Sequence, residues 1–186
     1  SIVPCNVSDH RAILCTILTN TSKDGWLVHS AGVLADALLH NQTQSGMQRV
    51  WGPKAHAAWH LHASAVVTSQ PFTVFSSVAA LLGGPGQANY ASANSCLDVL
   101  AKQWQDLGLA AVSVQWGAWA GVGMAVDSGV LGQLETQALK AIWDTMGLTA
   151  LESITLLSPS IPVVAVVPFD WAMLVASMAG AEVPSL

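Results

Sequence analysis

The chain has 186 residues, enough for one domain with a hydrophobic core. Apolar residues make up 52% of it and charged residues 9%, and the formal net charge is −5. The six Lys and Arg are spread thinly, which excludes a basic surface for nucleic acid, and the high apolar content favours a parallel α/β sheet covered on both faces.

The long stretch without Asp, Glu, Lys or Arg, residues 55–97, does not predict a membrane span, because Ser, Thr, Gln, Asn, His and Gly interrupt it throughout. The chain begins without Met or a signal-peptide pattern, so we expect an excerpt of a longer protein. Cys5, Cys15 and Cys96 lack CxxC spacing, which favours inert thiols in a reducing compartment. We expect the cytoplasm, with a plastid or other organelle as the alternative.

Short apolar runs ended by small residues predict four β-strands, with helix-length segments between them. The predicted strands cover residues 26–29, 72–75, 111–116 and 163–167. The predicted helices cover residues 8–18, 47–63, 88–107, 131–143 and 150–157. Ser8 or Asp9 is the predicted N-cap of the first helix, and Gly108 is the predicted C-cap of the third. Pro53 is expected to start or to kink the second helix. This alternation predicts a doubly wound parallel α/β sheet with ligands at the carboxyl ends of its strands.

One segment brings together residue types suited to proton transfer. Residues 75–95 read FSSVAALLGGPGQANYASANS, in which a strand ends at Ser77, a glycine-rich loop follows and a helix carries Tyr90 and Asn94. Tyr90 and Asn94 are four residues apart and share one helix face, toward which the loop can fold Ser77. The loop glycines predict a tight turn, because no strand-to-helix phosphate fingerprint follows them.

This arrangement resembles the active site of short-chain dehydrogenases/reductases, in the form typical of ketoreductase domains of polyketide and type I fatty-acid synthases. Most members of that superfamily have Lys four residues after the tyrosine, whereas synthase ketoreductases have Asn there and take their Lys from an earlier helix. Asn94 occupies that position here, and Lys54 opens the similar stretch KAHAAWHLH. The resemblance covers residues 3 to about 175 and implies a Rossmann-like sheet that lacks its first βαβ part.

The resemblance implies reduction of a ketone, with hydride delivered to carbon and a proton to oxygen. Tyr90 would donate the proton, and the Lys54 cation together with a positive nicotinamide would lower its pKa from about 10. Ser77 would hydrogen-bond the carbonyl oxygen. Lys54 would also hold the nicotinamide ribose, and Asn94 would support a proton-relay water. A tyrosine or lysine on its own would instead be a packing or surface residue.

Three further stretches resemble the family's cofactor-binding segments: VPCNVSD, WLVHSAGVLADALL and VQWGAWAGVGMA. The cofactor-binding residues that they imply, besides Lys54 and Tyr90, are Asn6, Val7, Ser30, Ala31, Gly32, Trp116 and Gly117. Asn6 stands where Asp is usual, which weakens the adenine contact without excluding it. NADPH is the cofactor that the resemblance implies, although these residues do not choose it over NADH. The histidines lack metal-site companions, so no metal is expected.

Residues on both sides of the candidate tyrosine resemble stereochemical signatures of the family. Leu34-Ala35-Asp36 resembles the Leu-Asp-Asp signature of ketoreductases that make D-configured 3-hydroxyacyl products, with its final Asp kept. The opposite class has Trp eight residues before the tyrosine, where this chain has Leu82, and Pro85 and Asn89 also resemble the D-type loop. The D-alcohol is therefore expected. Asp36 could instead merely cap a helix.

The function implied is reduction of the 3-oxo group of an acyl chain tethered by phosphopantetheine to an acyl carrier protein, beside other domains of the same synthase. Residues 1–186 would form a partial ketoreductase domain with a lid at about 122–150. No nucleic acid, membrane or metal partner is expected. Alone, such a chain is expected to bind NADPH weakly and to be inactive. The alternatives are a non-catalytic structural piece, or a free-standing dehydrogenase, against which Asn94 argues.

Overall fold

The computed structural model describes residues 5–9, 11–13, 15–16, 25–68, 70–120, 138–156 and 161–179. Its contacts divide the chain into two compact units. The first comprises Ser1–Trp116 and Ile154–Ala165, and the second comprises Gly117–Ser153 and Val166–Leu186.

The sheet has four strands in the order β1-β2-β3-β4. They are β1 (Leu27–His29), β2 (Phe72–Ser77), β3 (Ala111–Trp116) and β4 (Val163–Val166). β1 pairs in parallel with β2, and β2 pairs in parallel with β3. The four predicted strands are confirmed, although β2 runs two residues further than its predicted end because Ser76 and Ser77 still pair with β3.

Six α-helices lie in the described residues. They are α1 (Gln44–Trp51), α2 (Ala57–Thr68), α3 (Ala79–Leu82), α4 (Ala88–Asp106), α5 (Asp144–Leu156) and α6 (Trp171–Ala179). A π-helical turn, Gly52–His56, divides the predicted helix 47–63 into α1 and α2. Pro53 lies inside this turn, and since proline has no N–H, it cannot continue an α-helical hydrogen-bond ladder.

α4 follows its predicted course. Leu97, Leu100, Ala101 and Trp104 are buried on one stripe. The predicted C-cap is wrong by one residue, because Leu107 is the C-cap and Gly108, with φ of +79°, follows it. Leu107 was expected on the same stripe, but it is exposed. It is the C-cap residue, where the chain already turns away from the helix axis.

The first predicted helix is present in the described residues as helical backbone at 11–13 and 15–16. The Asp9 carboxylate accepts from the backbone N–H groups of Arg11 at 2.9 Å and Ala12 at 3.4 Å, so Asp9 is its capping residue.

The prediction of a helix over residues 131–143 is wrong for residues 138–143, and the rest of it lies outside the described residues. Ala138 has φ of +59°, and Leu139 and Ile142 form isolated β-bridges. The helix predicted at 150–157 begins earlier, at Asp144. The lid predicted at about 122–150 lies partly outside the described residues and stays a prediction.

The hydrophobic core of the first unit surrounds Trp104. The Trp104 indole stacks on His62 with ring centroids 5.2 Å apart and meets the Phe72 ring edge-on at 4.4 Å. Phe72 and Ala111, the first residues of β2 and β3, also belong to this core cluster. The core therefore anchors the amino ends of the strands. No helix within the described ranges is long and apolar enough to cross a bilayer.

Candidate active site

The site begins at the carboxyl ends of the parallel strands. His29, Ser77 and Trp116 are the last residues of β1, β2 and β3, and Ser77 pairs directly with Trp116. After Ser77 the backbone stays close to β3, because the Val78 N–H donates to the Trp116 carbonyl at 2.9 Å. The sheet thus presents several side chains along one edge, as expected for a ligand site in this architecture.

The glycine-rich loop turns the chain from α3 into α4. Gly83 and Gly86 have φ of +72° and +74°, a left-handed conformation that side chains disfavour, so the predicted tight turn is confirmed. Tyr90 and Asn94 then lie one helical turn apart in the first half of α4, and both are buried. The loop and helix together return the chain to Ser77.

The side chains of Ser77 and Asn94 lie near the Tyr90 phenol, and their polar groups act to lower its pKa. The sequence predicts that Lys54 together with a positive nicotinamide lowers the pKa of Tyr90. The protein's own groups raise this pKa, because burial of the phenol outweighs the opposite effect of the Ser77 and Asn94 side chains. Tyr90 is therefore a protonated phenol at neutral pH, the form that can donate a proton.

Lys54 is brought to Tyr90 by the π-helical turn. Its side chain is 3% exposed, its Nζ lies 5.3 Å from the centroid of the Tyr90 ring, and the same Nζ donates to the Phe75 carbonyl at 2.9 Å. Burial lowers the pKa of Lys54 from 10.5 to about 8, and the charge of Asp98 partly opposes this. At pH 7 the ammonium is thus still mainly charged.

His29 is a site residue whose role the sequence did not reveal. Its imidazole is buried, and Nε2 donates to the Lys54 carbonyl at 3.1 Å, which fixes the tautomer with the proton on Nε2. Burial is also the main reason that the pKa of His29 falls from 6.5 to about 4, so the ring is neutral at pH 7. A histidine at a strand end carries no motif, and only the fold shows that it supports the turn bearing Lys54.

Asn94 is completely buried beside the tyrosine. Its Nδ2 donates to the Tyr90 carbonyl at 2.8 Å, and its own carbonyl accepts from the Ser76 hydroxyl at 3.3 Å. Asn94 Oδ1 is shielded and has no hydrogen-bond partner in the protein. This oxygen could accept from a water, so the structure is compatible with the relay role expected of Asn94, which stays a prediction.

The residues expected to control stereochemistry lie in two adjoining loops. The Asp36 carboxylate accepts from Gln87 Nε2 at 3.1 Å, and the completely buried Asn89 donates from Nδ2 to the Ala35 carbonyl at 2.7 Å. Leu82 is the last residue of α3 and Pro85 lies in the loop before α4, and both are exposed. Asp36 caps no helix: the 3₁₀ turn after it has no side-chain cap, which removes that alternative.

Residues expected to bind a cofactor are spread over several places. Gly32 lies against Lys54, and a Cβ built on it would come within 2.8 Å of Lys54 Cε, so a larger residue would displace the end of that side chain. Ser30 is exposed and Ala31 half-buried in the same loop. Because Gly32 contacts Lys54 and Lys54 lies beside the Tyr90 ring, this edge of the sheet is a suitable place for the ribose and ring of a nicotinamide cofactor.

The remaining candidates lie apart from this group. Asn6 Oδ1 accepts from the Ser8 N–H at 3.1 Å within a local turn, and Val7 packs against the core cluster. Trp116 is buried at the end of β3. Gly117 belongs to the second unit, where its N–H donates to the Val166 carbonyl at 3.0 Å. Their cofactor roles stay predictions. In the part of the chain that the structure describes, no group of three His, Cys, Asp or Glu side chains is placed to hold a metal ion.

A family model described as KR domain matches residues 1–121. The chain belongs to the KR domain family. This KR domain is 40% identical over 135 residues to the polyketide synthase GfsA of Streptomyces halstedii, a match that covers 71% of the chain and 2% of GfsA. It is 37% identical over 158 residues to the spectinabilin polyketide synthase system protein NorB of Streptomyces orinoci, covering 81% of the chain and 7% of that protein.

Solved ketoreductases have the same fold. A structure described as A-type ketoreductases from a modular polyketide synthase superposes with a TM-score of 0.87 at 33% identity, covering 100% of this chain and 40% of that one. The first ketoreductase of the tylosin synthase gives a TM-score of 0.81 at 30% identity, covering 93% of this chain and 38% of that one. The expected family and fold are confirmed: this is a ketoreductase domain of polyketide-synthase type, in the short-chain dehydrogenase/reductase superfamily.

Proposed function

We propose that this KR domain reduces the 3-oxo group of an acyl chain, held by phosphopantetheine on an acyl carrier protein, to a 3-hydroxyacyl chain with NADPH. The observation that carries the proposal is the convergence of Lys54, Ser77 and Asn94 on one buried tyrosine. These three side chains come from three separate elements, and no requirement of packing alone would place a charged lysine there.

The proton for the product alcohol comes from Tyr90. Its raised pKa keeps the phenol protonated in the resting site, and Lys54 at 5.3 Å from the ring stabilises the phenolate that remains after donation. Lys54 is well suited to stabilise the phenolate, because the hydrogen bond to the Phe75 carbonyl holds its ammonium in place beside the ring.

The ketone oxygen is held by Ser77. The Ser77 hydroxyl lies at the end of β2 and near enough to the Tyr90 phenol to affect its pKa, so a carbonyl oxygen placed between the two would receive two hydrogen bonds. Donors fixed in advance stabilise the negative charge that develops on this oxygen as the carbon is reduced. Ser77 also accepts from the Ala79 N–H at 3.2 Å, which fixes its position.

A nicotinamide cofactor fits the residues at this edge. The glycine at position 32 keeps the backbone close to Lys54, and the ammonium and phenol offer polar groups to a ribose. When bound, NADPH would supply the hydride. The domain's own residues orient the ketone, exclude water from Tyr90 by burying it and deliver the proton. The choice of NADPH and of a carrier-bound substrate follows from the family's setting in polyketide synthases.

The direct test is Tyr90→Phe, which removes one oxygen from a buried ring. In the protein as it occurs naturally, we expect reduction of a 3-oxoacyl thioester to fall at least about 100-fold, in line with general-acid contributions, with little change in cofactor affinity. NADPH oxidation measures the rate and fluorescence titration the affinity. Ser95→Ala, which removes a hydroxyl bonded only within α4, is the control and should retain normal turnover. Near-normal turnover by Tyr90→Phe would refute the proposed role.

A second test addresses the product. Asp36 and Asn89, which resemble residues of D-type ketoreductases, lie in two segments that hydrogen bonds join beside Tyr90. We therefore expect mainly the D-configured alcohol from a simple 3-oxoacyl thioester, measured by chiral chromatography. A predominantly L-configured product would contradict this.

A further inference from the structure

Two loops beside the tyrosine are joined by a set of hydrogen bonds, here called the clasp. The first loop, residues 35–37, follows β1, and the second, residues 86–89, joins the end of the glycine-rich loop to the first two residues of α4. The Ala37 N–H donates to the Gly86 carbonyl at 2.9 Å, and Asn89 Nδ2 donates to the Ala35 carbonyl at 2.7 Å. The loops thus run side by side immediately before the residue that donates the proton.

Gln42 adds a bond to both loops at once. Its Nε2 donates to the Ala37 carbonyl at 2.7 Å and also reaches the Gly86 carbonyl at 3.4 Å. Both neighbours are acceptors, so the amide must face them with its nitrogen. One NH₂ group therefore bridges the two halves of the clasp.

The other end of the Gln42 amide supports this interpretation. Gln42 Oε1 is shielded from solvent and has no hydrogen-bond partner in the protein. Leaving a carbonyl oxygen unpaired is unfavourable, whereas an apolar side chain of similar length would avoid this loss. The amide is therefore best explained by what its nitrogen does. Gln42 is itself anchored, since the next residue, Thr43, caps α1 by accepting from the Gly46 N–H at 3.1 Å.

Side chains of the clasp bond to each other and to the backbone of Tyr90. Asp36 lies in the first loop and bonds to Gln87 in the second, and Asn89 accepts the Tyr90 N–H at 2.7 Å. The separation of the loops therefore sets where Asp36 lies relative to Tyr90.

We propose that Gln42 is a specificity-determining positioning residue, whose amide holds the clasp closed and thereby fixes the side from which the acyl chain reaches Tyr90. This rests on the proposed function. It assigns Gln42 no contact with substrate, and it predicts that losing the amide loosens the loops and mixes the product alcohols while leaving proton donation in place.

The test compares Gln42→Leu and Gln42→Glu with Gln48→Met, a control in which an exposed glutamine of α1 is replaced. The first readout is hydrogen exchange of the Ala37 amide, followed by mass spectrometry of the full chain. Gln42→Leu should speed this exchange about tenfold, the effect of losing one hydrogen bond, and Gln42→Glu should speed it more because its carboxylate repels two carbonyl oxygens. Gln48→Met should leave it unchanged.

The second readout is the ratio of the two alcohols formed from a simple 3-oxoacyl thioester. For Gln42→Leu we expect this ratio to fall at least fivefold, roughly the effect of one weakened hydrogen bond, with kcat within about threefold of normal. Unchanged hydrogen exchange at Ala37 in Gln42→Leu would show that Gln42 does not hold the clasp closed. Faster exchange with an unchanged ratio of the two alcohols would show that the clasp does not determine specificity. If Gln42→Leu does not fold, Gln42→Asn, whose shorter side chain cannot span both carbonyls, takes its place with the same expectations.

The two proposals fail in different ways. If the unsubstituted protein reduces no ketone, the proposed function and the role of Gln42 in specificity are both wrong. Hydrogen exchange at Ala37 tests separately whether Gln42 holds the clasp closed.

Discussion

Lys54 is a cation that the fold buries at a measurable cost. Its pKa of about 8, against 10.5 when exposed, corresponds to roughly 3 kcal/mol of unfavourable burial at pH 7. Between those two pH values the unfolded chain binds more protons than the folded one, so the free energy of unfolding should rise with pH in that window. Below pH 8 the full penalty is present. A residue needed only for stability would be better replaced by an apolar one.

Lys54→Met should therefore remove this rise in stability between pH 8 and 10. At pH 7 we expect the variant to be at least as stable as the original protein, because the loss of the hydrogen bond to Phe75, about 1–3 kcal/mol, offsets only part of the gain. Urea denaturation at pH 7 and pH 9.5 measures both effects. Lys102→Met is the control, since that lysine is exposed in a surface pair with Asp106 and should leave the pH dependence intact. Parallel pH profiles for Lys54→Met and the original protein would show that the lysine is not buried as described.

At the scale of elements, the loop between α3 and α4 has two glycines with the same backbone requirement and different surroundings. Gly83 and Gly86 both have φ near +70°, where an L side chain is strained. A Cβ on Gly83 would meet nothing within 4 Å, whereas a Cβ on Gly86 would lie 3.5 Å from the Ala37 backbone.

Alanine substitutions at Gly83 and Gly86 separate the effect of backbone strain from the effect of crowding against Ala37. Gly83→Ala and Gly86→Ala should each lower the free energy of unfolding by about 1–2 kcal/mol through backbone strain. Only Gly86→Ala should also disturb the bond from the Ala37 N–H to the Gly86 carbonyl. Urea denaturation gives the stability of both variants, and hydrogen exchange at Ala37 should rise more in Gly86→Ala than in Gly83→Ala. Equal exchange in the two variants would contradict this account of the loop.

The elements also show where sequence reasoning succeeds and where it stops. Short β-branched runs and the stripe on α4 are local patterns, so the strands and that helix could be predicted closely. The π-helical turn could not, because it depends on Pro53 together with a hydrogen bond from distant His29. The predicted helix 131–143 is absent from the described residues 138–143, because Ile142 forms a β-bridge with Trp119. That residue lies 23 positions earlier in the chain, so the contact could not be predicted from local pattern.

For the site, the residue types could be predicted from the resemblance, but their energetics could not. Tyr90, Asn94, Ser77 and Lys54 come together as expected. The rise in the pKa of Tyr90 that burial causes could not be predicted, because burial depends on packing, which spacing does not give. Gln42 has no pattern of its own, and its two acceptors are backbone atoms of other loops.

At the scale of the whole molecule, the core and the site of the first unit occupy opposite ends of the strands. Trp104 is 2% exposed and packs on Phe72 at the start of β2, while Ser77 ends the same strand. Stability and catalysis should therefore respond to different substitutions.

Trp104→Ala should lower the free energy of unfolding by about 3–5 kcal/mol, the usual cost of emptying a large buried site. Trp104→Phe should cost less, partly because it also removes the buried Nε1 donor that has no partner in the protein. Trp143→Ala is the control, because that side chain is 67% exposed and should change stability by less than about 0.5 kcal/mol. Urea denaturation measures all three. An equal loss from Trp104→Ala and Trp143→Ala would show that the core is not where the structure places it.

The segment that supplies Ser77, Tyr90 and Asn94 belongs to the stretch of residues 55–97, which contains no Asp, Glu, Lys or Arg. The charges that act on the phenol therefore lie outside this segment: the buried Lys54 ammonium, 5.3 Å from the ring, and the exposed Asp36 carboxylate, which raises the pKa of Tyr90. Screening by dissolved salt acts on exposed charges and hardly on buried ones. Concentrated salt should consequently weaken the contribution of Asp36 to the pKa of Tyr90, while the contribution of burial, the largest one, stays nearly the same.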